Sequence, residues 1–175
     1  MYADTQTESG LFSEFRMQPP QFPSGPARRP ISIVTKLIIV TALVYAAQLF
    51  TMRPMDQSSV SEALAMERDL VLESGQVWRL LTSAFCHNEA SITHLAFNML
   101  ALFFVGRVVA HVVGDREFLW MYLAAAICSG IVQLGSMAIF RMPGQHWVLG
   151  ASGAVYAVFM IFCLHYPRML SLIHI

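Results

Sequence analysis

The chain has 175 residues, 56% of them hydrophobic and 13% charged, with a mean hydropathy of +0.56. A soluble domain carries about 25% charge, so this chain has too little polar surface to clothe a globule in water, and lipid is the solvent that accepts the remainder. Eleven basic and eleven acidic residues cancel, leaving no global field to favour nucleic acid, and the three cysteines (Cys86, Cys128 and Cys163) show neither a disulfide framework nor a metal-binding spacing.

Residues 1–30 are polar, hold five of the eight prolines and end in Gly25-Pro26-Ala27-Arg28-Arg29-Pro30. They read as a disordered cytoplasmic tail with a basic stop before the membrane. Four apolar stretches follow, at residues 31–50, 92–113, 118–140 and 147–166. Each approaches the ~20 residues that a helix needs to cross ~30 Å of hydrocarbon. The expected fold is therefore all-α, a polytopic membrane bundle with four transmembrane helices. Residues 31–168 form the membrane domain and residues 169–175 an atypical C-terminal tail.

Basic residues orient the spans. With the N-terminus in the cytoplasm, Arg16, Arg28, Arg29, Lys36, Arg107, Arg116 and Arg168 lie inside, against Arg53, Arg68, Arg79 and Arg141 outside. The expected location is the plasma membrane, because Asp4, Glu8 and Glu14 give the tail an acidity that a transit peptide lacks.

The connections are unequal. Spans two and three are joined by Gly114-Asp115-Arg116-Glu117, which makes them a tight antiparallel pair. Spans one and two are joined by residues 51–91, with a helical stretch expected over residues 60–72 and an amphipathic one around Trp78-Arg79. That pair suits the headgroup layer, where an amphipathic ring and a guanidinium both find partners. A long, half-apolar loop on one face of a membrane domain is commonly functional or interfacial.

Polar groups inside a span are costly and need a reason. His94 and Asn98 are four apart, hence on one face of span two near its outer end. They form either a helix–helix clamp or an anion-stabilising pair, and judged alone the clamp is favoured, since polar groups commonly glue helices together. Span four opens with Gly150-Ala151-Ser152-Gly153-Ala154. A serine in a membrane helix commonly bonds back to a carbonyl one turn earlier. The flanking Gly150 and Gly153 change that reading, because they clear space around the hydroxyl for a backbone or a substrate. The small residues Gly150, Ala154 and Ala157 also make a packing stripe, expected to lie bare in this chain.

Trp78-Arg79, the H-x-x-x-N at His94–Asn98 and the G-x-S-G at Gly150–Gly153, with Gly106 and Gly114 between, resemble the rhomboid family of intramembrane serine proteases over about residues 31–168. The resemblance implies a six-span bundle and a serine–histidine dyad. Ser152 would be the nucleophile, and His94 and Asn98, with the Ser152 amide, would hold the oxyanion. It implies no cofactor and no metal. The partners it implies are the bilayer and membrane proteins whose transmembrane helices unwind near small residues, with the 51–91 loop shaping and gating their access.

The family's base is a histidine on a sixth span. His165 lies thirteen residues beyond Ser152, ~20 Å along the same helix, and cannot serve. His174 lies later still. The chain is therefore expected to be C-terminally truncated and, alone, inactive. A membrane di-haem protein is a poor fit: the pairs His94/His111 and His146/His165 stand about 260° and 100° apart around a helix, so neither shares a face. The alternative function is a non-catalytic rhomboid-like protein that binds membrane helices.

Overall fold

The structure, a computed structural model, describes residues 31–52, 58–140 and 147–167. The expected cytoplasmic tail (1–30) and C-terminal tail (169–175), together with Arg53, Arg141, His146 and Arg168, lie outside the described residues. Among those described, the chain is all-helical, with a single isolated bridge pairing Met66 with Val148.

Helix α1 (Ile33–Phe50) starts at Ser32, whose hydroxyl accepts the Thr35 amide and so caps the first turn. Apolar all round, it buries one stripe: Val34, Leu37, Thr41, Tyr45 and Gln48. The next segment holds three short helices, α2 (Ser59–Leu64), α3 (Arg68–Leu72) and α4 (Arg79–Thr82), the last running into a 3₁₀ turn at Ser83–Phe85. The single helical stretch expected over 60–72 is thus broken at Ala65–Glu67. Met66 leaves the helix there to exchange both backbone hydrogen bonds with Val148, at 3.0 and 2.8 Å.

Span two, Ile92–Val113, is one membrane-length helix composed of α5 (Ile92–Ala101), a π turn at Leu102–Gly106 and α6 (Arg107–Val113). The turn to α7 (Asp115–Ile139) needs only Gly114, at φ +97°, a conformation that side chains other than glycine's rarely adopt. Asp115–Glu117, expected to be loop, instead begin α7, whose two acidic residues suit a helix N-terminus. The Asp115 carboxylate also accepts the Ile33 amide at 3.3 Å, joining the starts of α1 and α7.

Helices α1, α5–α6 and α7 are long and apolar enough to cross a membrane. The fourth, α8 (Ser152–His165), has 14 residues, shorter than expected. Residues 147–150 are taken up by the bridge to Met66 and by Gly150 at φ +126°, so the helix begins at the serine itself. Around these helices stand exposed large apolar side chains, among them Leu43, Phe97, Phe104, Trp120 and Val132. A water-soluble monomer rarely exposes so many. The chain is a membrane protein, and such a surface suits lipid.

The core lies where all four meet: Val34 and Leu37 of α1, Leu102, Phe118 and Tyr122 (rings stacked 6.4 Å apart) of spans two and three, and Ala151 and Ala154 of α8. The small-residue stripe on α8 is not bare as expected. A side chain on Gly150 would collide with the His94 ring, and Ala154 is buried. Beside the stripe, Gly153 leaves room for the Ser129 side chain of α7.

Candidate active site

The first turns of α5 and α8 come together at one end of the bundle. His94 stands on the first turn of α5, Asn98 one turn further, and Ser152 is the first residue of α8. All three line a cavity of about 400 Å³, with Ala101 and Val155 behind and the exposed rings of Phe97 and Tyr156 at its open side. The Asn98 side chain is buried and donates to the His94 carbonyl at 2.8 Å. An amide carries two such hydrogens, so one remains to donate elsewhere.

The two glycines of the motif meet different neighbours. A Cβ on Gly150 would lie 2.7 Å from His94 Cε1 and 3.2 Å from Nε2. The imidazole therefore rests on the Gly150 backbone, two residues before the serine, and positive φ and contact alike demand glycine. Gly153 serves the contact with α7 instead. Because α8 starts at Ser152, the amides of its first turn have no carbonyl one turn earlier to bind, and they project partial positive charge towards the cavity end.

The approach to Ser152 is tied to the 58–91 loop. The Gly150 amide donates to the Ser83 carbonyl at 3.0 Å, in addition to the Met66–Val148 exchange. Arg79 holds the loop together. It is 5% exposed and donates to the Gln76 side chain at 2.6 Å and to the Ala65 and Glu62 carbonyls at 2.6 and 2.8 Å. The pair expected at the headgroup layer is thus split. Trp78 is exposed, whereas Arg79 is a buried knot. Carbonyls freed where α2 ends give its guanidinium better partners than water or phosphate.

Two residues that matter here carried no role in the sequence reading. His87 is fully buried; its ring meets His94 edge-on, centroids 5.3 Å apart, and its Nε2 accepts the Ala151 amide at 3.4 Å. Burial, reinforced by the neighbouring His94 and only partly offset by the Phe85 backbone, pushes its pKa down to about 4. Gln48 clamps the His87 backbone, its side-chain oxygen accepting from the amide at 3.0 Å and its nitrogen donating to the carbonyl at 2.9 Å. The same nitrogen reaches Ser61 and Glu89, and the Glu89 carboxylate also accepts from Ser58 and Ser61. Burial pushes Glu89 up, but the hydrogen bonds from Ser61, Ser58, its own backbone and Gln48 outweigh it and hold the carboxyl below its ordinary value. Gln48 was legible in principle, as a polar residue in register with the buried stripe of α1. No three His, Cys, Asp or Glu side chains among the described residues gather closely enough to hold a metal ion.

Residues 74–174 match the family model described as Rhomboid domain. The chain is 32% identical over 153 residues to the rhomboid protease GlpG of Salmonella choleraesuis, covering 87% of this chain and 49% of that protein. It is 39% identical over 94 residues to the rhomboid protease GluP of Bacillus subtilis, covering 54% and 17%. To the mitochondrial RHOMBOID-like protein 12 of Arabidopsis thaliana it is 34% identical over 108 residues, covering 55% and 32%. The chain spans half or less of the length of each of these relatives.

Proposed function

Because the chain belongs to the rhomboid family, we propose that it is the serine-bearing part of an intramembrane serine endopeptidase that cleaves transmembrane helices of other membrane proteins. The observation that carries this reading is the convergence of Ser152, His94 and Asn98 on one cavity, with the His94 ring seated on Gly150. Ser152 attacks the scissile carbonyl. The charge that develops on its oxygen meets the Ser152 amide, the His94 imidazole and the free Asn98 amide hydrogen, donors already in place and partly shielded from water. His94 is the one imidazole lining the cavity among the described residues. Its place is that of an oxyanion donor, so the base that takes the serine proton is assigned outside the described residues. The exposed side between Phe97 and Tyr156 gives an unwound helix lateral access from lipid. Arg28 and Arg29 before the first span support a cytoplasmic N-terminus in a plasma membrane.

The test extends the chain to the relatives' full length, by its natural continuation or by the last spans of a close relative, and offers a helix-destabilised membrane substrate. Cleavage is expected, lost in Ser152→Ala and reduced by less than about 10²-fold in Asn98→Ala, since two other donors remain. Cleavage that survives Ser152→Ala sinks the assignment. Substrate binding without cleavage favours the helix-binding alternative. Residues 1–175 alone should react with a fluorophosphonate no faster than their Ser152→Ala form, and strong labelling would place a base within them.

A further inference from the structure

We propose that His87 is the positioning residue of this site: its Nε2 accepts the Ala151 amide while its ring braces His94 edge-on, so that one buried side chain fixes both the donor imidazole and the start of the serine helix. The inference rests on the reading of His94 and Ser152 given above and assigns His87 no contact with substrate. Three observations converge on it. First, the ring is fully buried between the two elements whose alignment matters, with a nitrogen on the α8 side and an edge on the α5 side.

Second, the imidazole is an expensive choice for mere packing. Its Nδ1 is buried without a hydrogen-bond partner, the Phe85 backbone nearby lying outside bonding geometry. An apolar ring of the same size would carry no such unpaired nitrogen. What the apolar ring cannot do is accept the Ala151 amide, which at the start of α8 has no carbonyl one turn earlier to bind. Accepting through Nε2 puts the ring's proton on Nδ1 and requires the uncharged form. Burial and the adjoining His94, the titratable group that acts on it from the packed elements, both favour that form.

Third, the residue is itself held. The Gln48 side chain grips both backbone groups of His87 from the end of α1, and Gln48 is anchored in turn through Glu89 and Ser61. A chain of fixed contacts therefore runs from α1 through His87 to α5 and α8. Its geometry is that of a spacer: Gln48 sets the backbone, and the ring sets two helix starts.

The two contacts can be separated by substitution. His87→Phe keeps the ring and loses the acceptor, while His87→Gln keeps an acceptor near the place of Nε2 and loses the ring. In residues 1–175 in detergent micelles, NMR of the Ala151 amide and of the His94 ring carbon-bound protons reads each contact without activity. His87→Phe should move the Ala151 amide and leave the His94 signal close to wild type. His87→Gln should do the reverse. If His87→Phe does not fold, the His87→Gln pattern decides, together with Gln48→Met, which should move both signals by releasing the His87 backbone. Signals unchanged in His87→Gln and Gln48→Met, or moved alike in both His87 variants, would overturn the proposal and leave His87 as core filler. In the extended enzyme, His87→Phe should lower kcat tenfold or more with KM nearly constant, and His87→Gln should recover part of it. A KM effect alone overturns the positioning role. The separable NMR pattern in a chain whose extended wild type never cleaves would uphold the spacer and sink the enzyme reading.

Discussion

The two ends of span two are built differently. At its far end the chain reverses through one residue, Gly114, and the neighbouring helices are tied by two exposed bonds, Ile33 to Asp115 at 3.3 Å and Arg107 to Thr35 at 3.4 Å. At its near end the 58–91 loop buries Arg79, Gln48, Ser58, Ser61 and His87, which bond to the loop's own carbonyls, to one another and to the residues that lead into Ser152. The turn needs only to bring two apolar helices together, which lipid and packing then maintain. The site must hold three side chains from two helices in register, and hydrogen bonds with fixed directions do that where apolar contacts, which have none, cannot.

Cutting the knot should therefore cost far more than straining the turn. Arg79→Leu leaves buried carbonyls without donors and should lose about 3 kcal/mol, measured by denaturant unfolding in detergent. Arg79→Lys should restore little, because one ammonium cannot serve three acceptors spread across a fork. A loss below about 1 kcal/mol would show that the knot is decorative.

Acid should loosen the same end. An unfolded chain protonates its imidazoles near 6.5, whereas His87 in the fold resists to about 4. Between those values the unfolded state binds more protons, so stability is whole above pH 6.5 and declines as pH falls towards 4. Glu89, held below its ordinary 4.5, adds a second decline as pH falls through its folded value. The melting temperature should drop between pH 7 and 4.5, and by less in His87→Phe; equal curves would mean that His87 is not desolvated. The smallest effect belongs to the turn: Gly114→Ala strains φ +97° at a cost of about 1 kcal/mol. A loss equal to that of Arg79→Leu would erase the contrast between the ends.

The spans were legible because runs of apolar residues need no partner to be recognised, and the shared face of His94 and Asn98 follows from helical period alone. What escaped depends on tertiary acceptors. Met66 breaks a helix for Val148, which lies over eighty residues away. Arg79 looks interfacial until the carbonyls of Glu62 and Ala65 turn towards it. The glycines beside Ser152 were legible as special, but not what they make room for, since His94 and Ser129 approach from other helices. His87 had no periodic pattern to betray it, sitting in a loop whose path is set by Gln48.

The π turn in span two has a consequence for how its sequence is aligned. Asn98, Leu102, Gly106 and Ala110 are buried at three successive steps of four residues. In a regular α-helix those twelve residues would carry the stripe about 120° around the axis, and the wider turn absorbs about 100° of that. The inward face thus stays nearly straight from the site to the far end. The two halves of the span are in phase as if one residue fewer separated them. A relative lacking one residue at 102–106 would preserve both faces, whereas the same gap within α5 or α6 would rotate one half away from the bundle.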